Sequence, residues 1–256
     1  MVKVAIDAGH GGAEPGAVFE GRKEKDDNLK LAMAVGEILK NNGIDVFYTR
    51  TDDVYQKPIE KARLANQSGA DYLVSFHRNS SPIPNQYTGV QTLVYNDEGV
   101  KGKMARAVNK ELENLGFRNI GVSERPGLVI LRRSQMPAIL IETGFINSEE
   151  DNMLFDDEFD RIAQSIANGI LDTIKGEQDI SAENDIKYYR VQTGLYRKME
   201  NAQRQLDQLL KEGYPAFMVQ KDGYYSVQVG AFENLSNAVR MEAILRQNGY
   251  QTYITT

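Results

Sequence analysis

The chain has 256 residues, 41% hydrophobic and 26% charged, with a formal net charge of −6; this composition suits one substantial core plus a small second one and is neither disordered nor fibrous. Cysteine is absent, which excludes disulfides, a thiol nucleophile and cysteine metal sites. The acidic balance argues against a nucleic-acid partner, and no run reaches the roughly 18 apolar residues of a membrane span or resembles the apolar segment of a signal peptide.

Strand-like and helix-like stretches alternate from the N-terminus. Val2 to Asp7 reads as a short apolar strand, and apolar residues at helical spacing (Leu29, Ala32, Met33, Leu39) predict a helix from about Asp26 to Asn42, stopped by Gly43. A strand over Asp45 to Thr49, a helix from about Lys57 to Gly69 and a strand from Asp71 to Phe76, ending at His77, come next. Gly89 to Tyr95 is expected as a strand, Gly99 to Leu115 as a helix, Leu128 to Leu131 and Ala138 to Ile141 as strands, and Glu158 to Ile174 as a helix. The alternation predicts an α/β domain over residues 1–175, a mostly parallel sheet flanked by helices. In such a fold, sites form outside the carboxyl ends of the strands.

Charge then changes along the chain. Residues 1–175 are net −5, residues 176–186 carry 4 acidic and no basic side chains, and residues 187–256 are net +3. The acidic piece GEQDISAENDI has little to bury and reads as a linker. Beyond it an internal repeat has a period of 36 residues: YRVQTGLY from Tyr189 aligns with YSVQVGAF from Tyr225, Asn201-Ala202 with Asn237-Ala238, and Gly213-Tyr214 with Gly249-Tyr250. Each unit reads strand, helix, strand, so a small α+β domain of βαββαβ order is expected, an antiparallel four-stranded sheet with two helices on one face.

The chain's 2 histidines follow apolar runs, His10 in VAIDAGHGG and His77 in YLVSFHRNS. Imidazole at a strand end sits on rigid backbone and suits zinc while leaving the metal open to water. The glycines of AGHGGAEPGA form neither GxGxxG nor GxxxxGK[ST], so they point to tight backbone around His10 and not to a phosphate cradle. Glu24, in GRKEKDDN, would complete a His2Glu set, but spacing does not single it out from Glu20, Asp26 and Asp27, and an acidic residue at a helix start is favourable in any case. Glu142 ends the run Ala138 to Ile141 and either marks the surface at a strand exit or serves as general base toward a metal-activated water.

Taken together, DAGHGG with Gly16, Glu24 in KEKDDN, TRTDD at 49–53, SFHRNS, and IETGF after LVILRRSQMPAILI resemble the zinc-dependent N-acetylmuramoyl-L-alanine amidases of bacterial cell walls, in motif order over about residues 2–175. The resemblance implies one zinc ion on His10, Glu24 and His77, Glu142 as the catalytic glutamate, and peptidoglycan cut between the muramic acid lactyl group and L-alanine. Ser80 departs from the alanine common in the family after the position of Asn79, a change that touches no ligand. Residues 187–256 resemble the SPOR domain, which implies binding to glycan strands stripped of stem peptides; Tyr189 and Tyr225 are either platforms for sugar rings or core residues. Arg132 and Asn79 read either as contacts to a stem-peptide carboxylate or amide or as surface and turn residues, and neither is assigned to the site. Rival readings are a zinc peptidase or deacetylase on the same donor set, and an inactive peptidoglycan-binding protein. With no signal-type segment, action on the wall is expected after phage-driven lysis or during mother-cell release in sporulation, or after secretion if a leader was trimmed.

Overall fold

A computed structural model describes residues 1–184 and 188–256. The chain divides into two compact units, Met1–Gln178 and Asp179–Thr256. The first contains β1 (Lys3–Ala8), the short pair β2 (Val18–Phe19) and β3 (Arg22–Lys23), α1 (Glu24–Asn41), β4 (Asp45–Tyr48), α2 (Pro58–Gln67) and β5 (Tyr72–Asn79). Then follow β6 (Val90–Val94), α3 (Gly99–Asn114), β7 (Asn119–Glu124), α4 (Val129–Arg133), β8 (Ala138–Phe145), α5 (Glu149–Asp157) and α6 (Phe159–Asn184), whose residues from 179 on belong to the second unit. Six strands form one sheet in the order β4-β1-β5-β8-β6-β7. Only β6 and β8 pair antiparallel; the other neighbours are parallel.

Alternation along the strands sorts side chains between two cores. Val4, Ile6 and Ala8 of β1, Val74 and Phe76 of β5, and Ile139 and Ile141 of β8 enter the larger core with α1, α3 and α6. Ala5, Leu73, Ala138 and Leu140 face the opposite way, toward Ala62 and Ala65 of α2 and Ile130 and Leu131 of α4. By the same parity, Asp7, Ser75, His77 and Glu142 lie on this second face. Both faces are covered, as the βα alternation predicts.

Three features differ from the sequence reading. Leu128 to Leu131, expected as a strand, belongs instead to the turn and first residues of α4; four apolar residues after Pro126-Gly127 do not distinguish strand from helix, and packing of Ile130 and Leu131 against α2 decides for the helix. The sheet's remaining strand is β7, at the edge beside β6, where Gly121 and partly exposed polar residues blur the alternation. The short α5 was not expected either, although Ser148 caps it by accepting from the Asp151 backbone N–H.

Residues 176–184 of the expected acidic linker are helical and continue α6, while residues 185–186 lie outside the described residues. The second unit contains β9 (Tyr189–Tyr196), α7 (Met199–Lys211), β10 (Ala216–Lys221), β11 (Tyr224–Phe232), α8 (Leu235–Gln247) and β12 (Tyr253–Thr255). Its sheet runs β10-β11-β9-β12, antiparallel throughout. The repeat becomes symmetry: equivalent strands β9 and β11 pair at the centre, with Tyr189 opposite Phe232 and Tyr196 opposite Tyr225. Val191, Val227 and Val229 meet Ala202 and Leu209 of α7 and Ala238 and Leu245 of α8 in one core, against which Tyr189 and Tyr225 also pack. Among the described residues, no helix is long and apolar enough to cross a membrane.

Candidate metal centre

Adjacent parallel strands β1 and β5 end on the same edge of the sheet, and the backbone N–H of Gly9 donates to the Phe76 carbonyl at 3.0 Å. This topology brings His10, just beyond β1, against His77 near the end of β5, with ring centroids 4.9 Å apart and nearly perpendicular planes. The chain then loops through β2 and β3 so that α1 starts with Glu24 between them. Glu24 Oε2 lies 3.0 Å from His10 Nε2 and Oε1 lies 2.9 Å from His77 Nδ1. One potential donor atom from each of His10, Glu24 and His77 falls within 4.8 Å of the others.

The carboxylates that spacing left open separate here. Glu20 and Asp26 are exposed, Asp27 pairs with Arg22 and Arg78 at 2.7 Å each, and Glu24 alone is in the cluster. Its orientation is held by the Ala17 backbone N–H at 2.9 Å, Asn28 Nδ2 at 3.2 Å and the Arg78 backbone N–H at 3.2 Å. Burial pushes the Glu24 carboxyl up, but the hydrogen bonds and charge of the two histidines outweigh it and hold the group far below the carboxylate range. Burial pulls the His10 imidazole down, yet Glu24 and Glu14 carry it above its usual value.

The glycines around His10 serve close approach. A Cβ on Gly9 would stand 2.3 Å from the His77 ring, and one on Gly16 would stand 2.5 Å from Glu24 Oε2 and 2.6 Å from His10 Cδ2. Only glycine lets the backbone pass this near the three side chains.

Glu142 lies opposite His77 in the β5–β8 register. Its Oε2 is buried without a hydrogen-bond partner. Burial is the main cause that raises the carboxyl to about 7, with Glu24 adding to it and the histidines opposing it. A buried carboxylate oxygen without a partner among the described residues is costly, which sets Glu142 apart from a solvated carboxylate at a strand exit. A cavity of about 430 Å³ opens beside the histidines, walled by Tyr55, Pro58, Leu128, Val129 and Ile130. The segment expected as a strand thus supplies one wall.

Arg132 is exposed on α4, and Asn79 accepts from the Ser80 backbone N–H at 2.8 Å, a turn interaction. Two partners of the cluster were not legible as such. Asn28 lies one helical turn after Glu24, a spacing that points to it once the helix start is known; Glu14, whose Oε2 meets His10 Nδ1, left no sequence signal.

Residues 4–172 match the model of the N-acetylmuramoyl-L-alanine amidase family. The chain belongs to this family. Residues 185–256 match the SPOR domain. Over 227 residues the amidase chain is 31% identical to the sporulation-specific N-acetylmuramoyl-L-alanine amidase of Bacillus subtilis, covering 87% of this chain and 86% of that one. It is 36% identical over 178 residues to the endolysin of Bacillus phage SPP1, covering 67% and 65% of the two chains. Among solved structures, the N-acetylmuramoyl-L-alanine amidase from Clostridium difficile 630 superposes with a TM-score of 0.64 at 35% identity, over 68% of this chain and 97% of that one. The amidase catalytic domain from Bacillus (Paenibacillus) polymyxa var. colistinus gives a TM-score of 0.63 at 31% identity, over 68% and 99%.

Proposed function

We propose that this chain hydrolyses the amide between N-acetylmuramic acid and L-alanine in bacterial peptidoglycan, with one zinc ion held by His10, Glu24 and His77 and with Glu142 as the acid-base group. The observation that carries the reading is the convergence of His10, Glu24 and His77 beside the unpartnered Glu142 oxygen, within a domain of the amidase family. Two imidazoles and a carboxylate form a zinc set that leaves a position for water. Zinc, when bound there, lowers the pKa of water and polarises the scissile carbonyl. Glu142 accepts the proton of the attacking water and returns it to the leaving amine. Glu24, kept ionised, and Glu14, against the far nitrogen of His10, hold the two imidazoles in register with each other.

The second unit binds glycan strands, those stripped of stem peptides in particular, and keeps the enzyme on its insoluble substrate. The wall is the place of action, reached on lysis or by export. Product analysis on intact peptidoglycan tests the reading. New L-alanine amino termini without new reducing sugar ends are expected; amino termini of other residues would mean a peptidase, free acetate a deacetylase, and no products from the zinc-loaded protein an inactive wall binder. Metal analysis of His10→Ala, Glu24→Ala and His77→Ala tests the ligand set, each expected to lose the zinc that wild type holds at one per chain.

A further inference from the structure

The stretch Thr49 to Asp53, TRTDD, supplies none of the groups used above, yet two of its side chains, those of Arg50 and Asp53, reach the turn that carries His10. Arg50, buried, donates from Nε to the Ala8 carbonyl at 3.0 Å and from Nη2 to the carbonyls of Gly9 and Lys25 at 2.9 Å each. Asp53 Oδ1 accepts from the Gly12 backbone N–H at 2.7 Å, and its Oδ2 pairs at 2.5 Å with Lys25 Nζ, which also donates to the Gly12 carbonyl at 2.8 Å. From the other side Lys61 Nζ donates to the carbonyls of Ala8 and His10, the second at 3.3 Å, and pairs with Asp7 at 3.1 Å. Asp7 in turn accepts from Thr49 and Ser75 at 2.7 Å each.

Side chains from three separate segments therefore hold the carbonyls of Ala8, Gly9, His10 and Gly12 and the N–H of Gly12. Such holding offsets a local cost, because His10 has φ of 61°, a left-handed conformation that disfavours a residue with a Cβ by about 1 to 2 kcal/mol. Strained backbone persists where its surroundings over-determine it.

We infer that Arg50, Asp53 with Lys25, and Lys61 are positioning residues that preset the His10 imidazole for the metal, so that they govern metal affinity and act on the reaction only through it. The inference rests on the metal-site reading above. It assigns to TRTDD the role of an outer support, whose loss in metal sites typically weakens binding about 10- to 100-fold.

The test is zinc affinity of the full chain by competition with a chromophoric chelator, for wild type, Asp53→Ala, Asp53→Asn and, as a control, Thr51→Ala. Thr51 is exposed, and among the described residues its hydroxyl donates to its neighbour Asp52 and not to the turn. Asp53→Ala is expected to weaken zinc binding by at least about 10-fold. Asparagine still accepts from Gly12 but gives up the charge that holds Lys25, so Asp53→Asn should fall between alanine and wild type, and Thr51→Ala should match wild type. At saturating zinc, kcat of both Asp53 variants should return to within about threefold of wild type, a recovery expected when the bound metal itself restores the imidazole's place. Wild-type affinity in both Asp53 variants, with or without a lower melting temperature, overturns the inference, as does a kcat that stays low at full occupancy. The Asp53 side chain is half exposed, so both variants should fold, and the asparagine variant decides alone if alanine does not. If wild type itself binds no zinc, the metal-site reading fails, an outcome distinct from a failed support.

Discussion

Replacing Glu142 by glutamine opposes stability to activity in one substitution. In the folded, chelator-stripped protein, burial of Glu142 lifts its carboxyl from the ordinary 4.5 to about 7, and in the unfolded chain it returns to the ordinary value. Between these values the folded state holds the proton that the unfolded state has released, so rising pH favours unfolding. The cost is absent below the unfolded pKa and complete above the folded one; at 1.36 kcal/mol per pH unit of difference it reaches about 3 kcal/mol. Glutamine has nearly the same shape and does not titrate. The stability of Glu142→Gln relative to wild type should therefore rise by about 3 kcal/mol between about pH 4 and pH 8, or about 6 to 12 °C in melting temperature for a unit of this size. Any constant offset from the buried amide cancels in that comparison. Circular dichroism melts of both proteins with a chelator present provide the measurement. With zinc restored, the same variant should keep its metal and lose activity by about 10²- to 10⁴-fold, the range for a positioned acid-base group. A stability difference that does not change with pH would refute the buried-carboxylate argument, and activity within about threefold of wild type would remove Glu142 from the chemistry.

Gly16→Ala should bind zinc at least about tenfold more weakly than wild type, because its methyl would stand 2.5 Å from Glu24 Oε2 in a backbone with φ of 68°; calorimetric titration that finds unchanged affinity would mean the turn relaxes without moving the ligands. Residues 1–178 alone should cleave a small soluble muramoyl peptide as fast as the full chain but work more slowly on insoluble wall, because the second unit concentrates the enzyme at the surface. Equal rates on the wall, with no pull-down of the isolated second unit by peptidoglycan, would assign residues 179–256 another task.

Periodicity carried the helices α1, α2, α3 and α6 and the strands around His10, His77 and Glu142, since each buries a face whose spacing is written locally. The repeat carried the second unit as far as its element order, because a 36-residue offset between YRVQTGLY and YSVQVGAF makes each half a strand, helix, strand unit; that β9 and β11 pair at the centre while the equally equivalent β10 and β12 take the edges was settled by the fold. Leu128 to Leu131 did not yield to the same reasoning. An apolar run of that length suits strand or helix, and its conformation follows from contact with Ala62 and Ala65 of α2, more than 60 residues earlier in the chain.

For the site, the sequence by itself determined donor types at strand ends and, through motif order, which family they resemble. It left Glu24 equal to Glu20, Asp26 and Asp27, because hydrogen bonding, charge and exposure at a helix start depend on what lies opposite. Only the tertiary structure decided among them. Placing β1 directly beside β5, parallel and in register, puts His10 and His77 on one edge, and the loop between β1 and α1 returns Glu24 to that edge while Asp27 turns to Arg22 and Arg78. Convergence of groups 14, 53 and 67 positions apart is a property of strand order, which no local pattern encodes, and so is the enclosed oxygen of Glu142 that waits opposite them.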